Sequence, residues 1–367
     1  MDVGTPTVEG ISRVNRVRFS VNLRKIILLT AGVVVFASCT TKKVMEDNAP
    51  RFKDINEEYE KVVKVSVVGE PGALVAEADK QKSKKAGKKA PKGAKEPTSN
   101  MHKANMEDSK MKKDALTHEP DIEDSEGFSG RRPKIDPFRE NEKVVLSVNY
   151  FNVVAGDLTI SVLPFKNVND KKAYHFSMNV KSNKMFSLFY AVDDTAETFV
   201  DYETMLPLTY TLEGRETARR KEIRTYFDWE KLEATFWEKT ISKDDDEEKK
   251  RKVVWSIEPF TQNVISAIFY LRAFVLTPGK KMAFRVSDDG KNYVFNGEVL
   301  RKENLHTDVG DFDTIVVKPT FQLDGQFKPT GDILFWLTDD ERKLPVRIES
   351  KIKIGTLVAK LKSLEAK

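Results

Sequence analysis

Two neighbouring acids, Asp193 and Asp194, are of a residue type that could support catalysis. Paired carboxylates perform acid–base chemistry in glycoside hydrolysis, where both groups must reach one substrate. Here they directly follow the apolar segment FYAV, and adjacent residues on a strand point to opposite faces. We therefore expect the two acids to belong to a strand end or a turn, without converging on a substrate.

Arg272 is the single charged residue within the apolar segment NVISAIFYLRAFV, whose spacing predicts a helix from Asn263 to Val275. A buried guanidinium needs a carboxylate or a carbonyl group as its partner. One interpretation is a structural ion pair. The other is that Arg272 and Phe269 bind a hydrophobic ligand, with the guanidinium holding an anionic head group.

Metal and nucleophile chemistry have little support in the sequence. Of the four histidines, His175 is expected on the polar face of a strand and His306 in a loop, and neither has a second ligand at metal-binding spacing. The sequence contains no phosphate loop, no GxSxG and no HExxH motif. We predict no cofactor, no metal centre and no enzyme activity, with a hydrolase as the least favoured alternative.

The lone cysteine, Cys39, follows a secretory signal. Basic residues precede an apolar segment from Ile26 to Phe36, and the small residues Ala37 and Ser38 lie just before the cysteine. This pattern is typical of a cleaved signal peptide over residues 1–38. The apolar segment is shorter than the about 20 residues that span a bilayer core. An uncleaved amino-terminal anchor is the alternative.

The residues around Cys39 resemble the lipobox of bacterial lipoproteins, with Phe36 where leucine is commonest. The resemblance implies that Cys39 becomes the first residue and carries acyl chains such as palmitate. Thr40, and not an aspartate, follows Cys39. This resembles the pattern of lipoproteins sent on to the outer membrane, so the resemblance implies the periplasmic face of the outer membrane of a Gram-negative cell. A single cysteine excludes an internal disulfide framework.

The first twenty residues form an unusually long lead into this signal. Asp2 and Glu9 lie ahead of most of the basic residues. We hypothesise that translation starts at Val21, which gives the compact leader VNLRKIILL. A peptide of the unprocessed precursor containing Asp2–Arg13 would exclude this hypothesis.

Residues 39–130 have the composition of a disordered, charged tether. The lysine-rich block from Lys80 to Lys95 has no aromatic or β-branched residue, so it cannot bury enough apolar surface to offset chain entropy. The block is a solubilising spacer or a contact for anionic lipid or an anionic envelope polymer. Nucleic acid is disfavoured as a partner because aromatic residues are missing beside the charge. Within the tether, Lys64–Ala78 is apolar enough for a short strand or a docking segment.

Residues 131–367 alternate between apolar and polar residues with the period of a β-strand. In AYHFSMNVKSN, for example, Tyr174, Phe176 and Met178 share one face. Many such segments joined by short loops predict an antiparallel meander. The helix carrying Arg272 is apolar nearly all round, with Thr261 as its expected N-cap, so it should be buried. The predicted fold is mostly β: a curved sheet or half-barrel that encloses one apolar helix.

Several segments of this domain resemble the bacterial exported family known as domain of unknown function 3108. They include EKVVLSVNYFNVVAGDLTISV, SLFYAVDD, LPLTYTLEG, NVISAIFYLRAF and LPVRIESKIKIGTLVAKL. The resemblance extends from about Glu140 to Leu364. It implies a mostly antiparallel sheet in an exported protein and carries over no catalytic residue.

These observations favour a lipid-anchored cell-envelope protein whose β domain binds or scaffolds without catalysis. In one version the sheet interior holds a hydrophobic ligand. In the alternative, the protein is structural and docks a partner through its basic tether or a sheet edge.

Overall fold

The structure is a computed structural model that describes residues 52–68, 126–323, 326–328, 333–351 and 355–365. Several features predicted from sequence lie outside these ranges. They are the signal peptide 1–38 with its alternative start at Val21, the lipidated Cys39, the lysine block Lys80–Lys95, and the residues His102 and His118.

The described chain is a long series of strands interrupted by short helices. Helix α1 (Lys53–Glu60) and strand β1 (Val65–Val67) come first, and β2 (Phe128–Ser129) and β3 (Arg132–Pro133) form a separate ribbon. The first part of the main sheet comprises β4 (Glu142–Tyr150), β5 (Val153–Val168), β6 (Lys171–Ser182), β7 (Val192–Asp201), β8 (Pro207–Glu216), β9 (Arg219–Asp228), β10 (Glu233–Ser242) and β11 (Glu248–Ser256), with helix α2 (Lys184–Ser187) between β6 and β7. The second part follows helix α3 (Ser266–Tyr270) and a 3-10 turn (Leu271–Ala273), and comprises β12 (Lys281–Asp288), β13 (Lys291–Thr307), β14 (Gly310–Leu323), β15 (Gln326–Lys328), β16 (Ile333–Thr338), β17 (Pro345–Lys351) and β18 (Thr356–Glu365).

The main sheet is an antiparallel meander in the order β11-β10-β9-β8-β7-β6-β5-β4-β18-β17-β16-β14-β13-β12. Most neighbours in the sheet are also neighbours in the chain. The exception that joins the two parts is the pairing of β18 with β4, where Leu361 faces Leu146. This topology confirms the predicted mostly β fold with a large antiparallel sheet.

The backbone ladder does not close into a barrel, but side chains bridge the two end strands. Trp255 Nε1 on β11 donates to Ser287 Oγ on β12 at 2.8 Å. Asn292 Nδ2 at the start of β13 donates to the carbonyl oxygen of Ser256 at 3.0 Å. The sheet therefore curves far enough for its two edges to meet through side chains, and it encloses an interior.

Strand alternation fills that interior. On β4, Val144, Leu146 and Val148 are buried, and on β6 Tyr174 and Phe176 are buried, as their period-two spacing predicts. The burial of each large apolar side chain stabilises the fold by about 1.5–3 kcal/mol. The inner face of the sheet and the helix together make one continuous hydrophobic core.

Helix α3 lies inside the curve of the sheet, as predicted, but it is shorter than Asn263–Val275. The helix begins only at Ser266 because Gln262 is held as a β-bridge partner of Val286. The expected N-cap at Thr261 is wrong. Instead, Asn263 Oδ1 accepts hydrogen bonds from the backbone N–H of Ile265 at 2.9 Å and of Ser266 at 2.7 Å.

The two ends of the sheet carry different turns. At the upper end, the chain turns at residues 151–152, 183–191, 217–218 and 243–247, which join β4–β5, β6–β7, β8–β9 and β10–β11. At the lower end, β4 begins at Glu142 and β5–β6 turn at Asn169 and Asp170. The segment LPVRIESKIKIGTLVAKL, whose alternation predicts a single strand, is two strands. Gly355 has a φ of 86°, which glycine adopts at little cost and which ends the loop between β17 and β18.

The predicted tether of residues 39–130 needs correction at 52–68 and 126–130. Residues 52–68 fold as α1 and β1 on the outer face of the domain, and β1 pairs with β5 through Val65 and Val168. This strand confirms the docking segment predicted at the start of Lys64–Ala78. Helix α1 was not predicted, and residues 126–130 include strand β2.

Candidate functional site

Arg272 lies in the 3-10 turn after α3 and is 1% exposed. Its guanidinium forms a two-pronged ion pair with Glu142 at the start of β4: Nη1 donates to Oε1 at 2.7 Å and Nη2 to Oε2 at 3.0 Å. Nη2 also donates to the carbonyl oxygen of Pro137 at 3.1 Å, and Nε donates to the carbonyl oxygen of Arg342 at 2.9 Å. The buried charge is therefore compensated by the protein itself.

These contacts favour the structural interpretation of Arg272. Each guanidinium nitrogen already donates to the protein, and the ring of Phe138 lies 5.1 Å from the guanidinium carbon. Arg342 donates a further hydrogen bond to Glu142 Oε2 at 2.9 Å. The ion pair joins the enclosed helix to the sheet at its lower end, and the geometry gives no support to an anionic ligand at Arg272.

Phe269, the second predicted ligand-binding residue, is a core residue. It is fully buried, and its ring stacks on Phe176 of β6 with centroids 4.1 Å apart. Phe138 lies 6.4 Å from Phe269 and also contacts Phe176, at 4.8 Å. The two residues predicted to form one ligand site instead attach the helix to different parts of the sheet.

An apolar cavity of about 60 Å³ lies beside α3. Helix α3 contributes Ile268, the residues flanking it contribute Val264 and Leu271, and the sheet contributes residues such as Phe295 and Phe335. Every lining residue is apolar, and such a cavity binds apolar groups in preference to water. Its volume suits a short apolar group and is far below the 300–1,000 Å³ typical of sites for drug-sized ligands.

Asp193 and Asp194 point to opposite faces of β7, as predicted. Asp193 forms an ion pair with Lys181 at 2.8 Å. Asp194 is buried and accepts a hydrogen bond from the backbone N–H of Arg215 at 2.9 Å. Burial, and secondarily the nearby charge of Glu216, raise the pKa of Asp194 to about 7. The two carboxylates do not converge on a common substrate position.

Both histidines in the described part of the chain lie on strands: His175 on β6, as predicted, and His306 near the end of β13 instead of in the predicted loop. His175 stacks on Phe199 at 4.3 Å, and His306 contacts Asp311 at 2.6 Å in an exposed hairpin. Among the residues that the structure describes, no three His, Cys, Asp or Glu side chains converge to hold a metal ion. Within the same residues, no helix has both the length and the hydrophobicity needed to cross a bilayer.

The outer face of β8–β10 carries a site that the sequence analysis missed, namely the surface covered by α1. Phe52, Ile55 and Tyr59 are buried there against Phe199, Leu208, Trp237 and Ile241. Tyr59 Oη and Thr209 Oγ1 lie 2.6 Å apart, and Trp237 Nε1 donates to Glu58 at 2.8 Å. The spacing of Phe52, Ile55 and Tyr59 is that of one helix face and was the available signal.

Polar contacts around this helix fix its direction. Asp54 pairs with Lys239 at 3.2 Å, and the guanidinium of Arg220 lies 4.8 Å from the ring of Phe52. In the strand register, Arg220 of β9 lies opposite Arg215 of β8, and Arg215 lies opposite Asp193 at the start of β7. Phe52 therefore lies at the level of the upper end of the sheet. Helix α1 therefore runs from the upper end of the sheet toward the lower end, where Tyr59 contacts Thr209.

Comparison with known proteins gives a family but no activity. The family model described as protein of unknown function DUF3108 matches residues 145–362, in agreement with the resemblance drawn from sequence. No curated protein matches the chain. Among solved structures, the beta-barrel-like protein of the DUF1849 domain from Brucella abortus is 11% identical, with a TM-score of 0.38 over 62% of this chain and 97% of that one. A candidate lipoprotein from Parabacteroides distasonis is 10% identical, with a TM-score of 0.25 over 62% of this chain and 96% of that one.

Proposed function

Because this chain belongs to the DUF3108 family of proteins of unknown function, its role has to be inferred from its own residues, and we propose that it is a lipid-anchored, non-enzymatic protein of the bacterial cell envelope. Acylated Cys39 would attach the chain to the periplasmic face of the outer membrane. The β domain would act as a rigid binding or scaffolding module beside that membrane.

The observation that carries this proposal is the docked position of α1. Phe52 follows Cys39 by only 13 residues, which span at most about 45 Å when fully extended. Residues 53–60 are then fixed on the domain by the contacts of Phe52, Ile55 and Tyr59. A lipid on Cys39 would therefore hold the folded domain close to the membrane, because the long segment 69–125 lies after the docking point.

A non-enzymatic role is supported by how the interior is filled. The enclosed helix and the inner face of the sheet pack as one core, and the buried arginine is paired within the protein. The neighbouring acids Asp193 and Asp194 face apart. The cavity beside α3 is lined by apolar residues alone, so it has no polar group that could position a substrate.

Metabolic labelling with an alkyne fatty acid tests the anchor. Wild type should carry the label through denaturing electrophoresis and fractionate with the outer membrane, whereas Cys39→Ser should lose the label completely. Thr40→Ser, a conservative change next to the modified residue, is the matched control and should keep the label. Undiminished labelling of Cys39→Ser, or an unlabelled wild type, would refute the lipid anchor.

The apolar cavity beside α3 favours a second candidate function, the holding of a short apolar group. Its volume of about 60 Å³ suits two or three methylene groups, such as the end of an acyl chain, more than a whole lipid. Native mass spectrometry of the mature protein should then reveal a co-purified apolar ligand. Ala267→Leu, which fills the cavity from the helix, should remove it. An identical, ligand-free mass for both proteins would exclude this function.

The alternative function, a structural protein that docks a partner through its basic tether, remains a prediction. Its lysine block, Lys80–Lys95, lies outside the described residues. Docking through a sheet edge is less favoured, because side chains of Trp255 and Asn292 bridge the end strands. Binding of the mature protein to an anionic envelope polymer, measured with and without the lysine block, distinguishes a contact site from a spacer.

A further inference from the structure

Six large apolar side chains are exposed together at the upper end of the sheet. They lie in the β4–β5 turn with the first two residues of β5 and in the β6–β7 connection, and we call them the apolar tip: Phe151 (63% exposed), Val153 (48%), Val154 (43%), Met185 (57%), Leu188 (53%) and Phe189 (68%). Isolated exposed apolar residues are ordinary, but a group of six in adjacent turns marks an interaction surface.

Asn183 holds the two halves of the apolar tip together. Its backbone N–H donates to the carbonyl oxygen of Ala155 at 3.0 Å, and its side-chain amide donates to the carbonyl oxygen of Val154. Its Oδ1 accepts from the backbone N–H of Phe186 at 2.7 Å and so caps helix α2. One residue thus ties the β4–β5 turn to the helix that presents Met185 and Leu188, and the surface is preformed.

The backbone at Phe151 is a second sign that this surface is functional. Phe151 and Asn152 form the two-residue turn with φ values of 47° and 61°. Both positions of such a turn favour Asn, Asp or Gly, and a bulky aromatic residue with positive φ is an outlier. The ring of Phe151 packs against Tyr150, with centroids 4.4 Å apart, and lies close to Gly355, yet the side chain stays 63% exposed. Backbone strain of this kind concentrates at functional positions.

The position of the amino-terminal segment indicates what covers the apolar tip. Phe52 packs on Arg220 of β9, which is in register with Arg215 of β8 and Asp193 of β7, so it lies toward the same end of the sheet as the β6–β7 turn. Cys39 lies 13 residues before Phe52 in the sequence, so it lies within about 45 Å of the end of the sheet that carries the apolar tip. Helix α1 runs away from this end, since Tyr59 contacts Thr209 nearer the lower end.

We propose that the apolar tip is a membrane-docking surface that inserts into the interface between lipid head groups and acyl chains. Aromatic and aliphatic side chains at the tips of turns can enter this layer while the strands remain in water. Lys184, which is exposed beside Met185, would lie at the level of the lipid phosphates. The inference rests on the proposed function for bringing a membrane close, but the surface should act without the acyl anchor.

Vesicle binding by the mature chain with Cys39→Ser, which has no lipid, tests the surface on its own. The probe is sedimentation with vesicles of phosphatidylethanolamine and a minor fraction of phosphatidylglycerol. Phe151→Asn and Phe189→Ser should each weaken binding roughly tenfold, the equivalent of about 1.4 kcal/mol. Phe151→Asn should also fold at least as well as its parent, because asparagine tolerates positive φ.

Ile135→Ser and Val309→Ser are the matched controls, since each removes an exposed apolar side chain outside the apolar tip. They should bind vesicles like the parent chain. Equal binding by the parent, Phe151→Asn and Phe189→Ser, or no binding by the parent, would overturn the proposal while leaving lipidation of Cys39 untouched. A parent chain that is dimeric without vesicles, and that becomes monomeric in Phe189→Ser, would instead assign the surface to a second copy.

Discussion

Arg272 illustrates how one charge is accommodated inside an apolar helix. The sequence limits the possible partners of Arg272, because a buried guanidinium must pair with an acid, a carbonyl group or a ligand. The choice between them depends on Glu142, which lies 130 residues away in the chain, and no local pattern links the two. Glu142 begins a strand whose alternation places it on the inner face with Val144 and Leu146.

Arg272→Ala is expected to lower the free energy of unfolding by about 3–5 kcal/mol, because it leaves Glu142 buried without its partner. Urea denaturation of the mature Cys39→Ser chain measures this loss. Arg301→Ala, which removes an exposed arginine paired with Glu303, is the control and should cost less than about 1 kcal/mol.

The double variant Arg272→Met with Glu142→Met should regain most of that stability, since apolar replacements of a buried ion pair are often neutral. Nearly unchanged stability in Arg272→Ala would show that the guanidinium is not needed by the fold, and would restore the ligand interpretation.

Asp194 gives the domain a pH dependence of known sign. Its pKa of about 7 in the folded protein exceeds that of an exposed aspartate, so between about pH 4 and pH 7 the folded state keeps a proton that the unfolded state loses. The stability of the folded state therefore falls as the pH rises through this range and then levels off.

Asp194→Asn removes this titration. The free energy of unfolding of the variant minus that of wild type should therefore rise by on the order of 2–4 kcal/mol when the pH is raised from 4 to 8. Urea denaturation at both pH values measures the change. Asp193→Asn, on the opposite face of the same strand, serves as the control and should show no comparable gain. A gain for Asp194→Asn that is the same at both pH values would contradict the assignment.

At the scale of elements, alternation predicted the strands well because each strand has one inner and one outer face. Tyr174 and Phe176 of β6, and Leu146 and Val148 of β4, lie where their spacing places them. The prediction failed where tertiary contacts override local pattern. The chain before α3 is held by β12, which delays the helix, and Gly355 ends a loop that splits one predicted strand into two.

Helix α1 was missed because the composition of the whole segment 39–130 outweighed one short helical pattern. Three apolar residues at helical spacing, Phe52, Ile55 and Tyr59, suffice to dock it because the domain supplies a complementary apolar patch. A charged segment can therefore contain an ordered docking element, and the average composition of a long region does not exclude one.

Cutting the chain after α1 tests its docking. With a site for a sequence-specific protease inserted between Lys88 and Lys89, the two fragments of cleaved wild type should remain together on size-exclusion chromatography. Ile55→Ala should separate them, because the loss of a buried isoleucine side chain costs about 2–5 kcal/mol. Val62→Ala removes a more exposed side chain and should leave the complex intact. Separation of the wild-type fragments would show that α1 does not hold the domain.

At the scale of the whole molecule, the features fit one arrangement. The interior packs as one core with a small cavity beside α3, and the ion pair of Arg272 fastens the enclosed helix at the lower end. The outer surface of the domain is therefore better suited to binding a partner than its interior. The upper end carries the apolar tip, and Phe52, 13 residues after Cys39, packs toward the same end. In the proposed arrangement the upper end faces the membrane, and the β13–β14 turn at the lower end lies away from it.

Depth-dependent fluorescence quenching in the lipidated protein tests this orientation most directly. Because Cys39 is the single cysteine and would be acylated, one fluorophore can be attached at Lys184→Cys beside the apolar tip or at Asp308→Cys in the β13–β14 turn. In vesicles containing quencher-labelled lipids, the fluorophore at position 184 should be strongly quenched and that at 308 should not. Equal quenching at the two positions, or stronger quenching at 308, would contradict the arrangement.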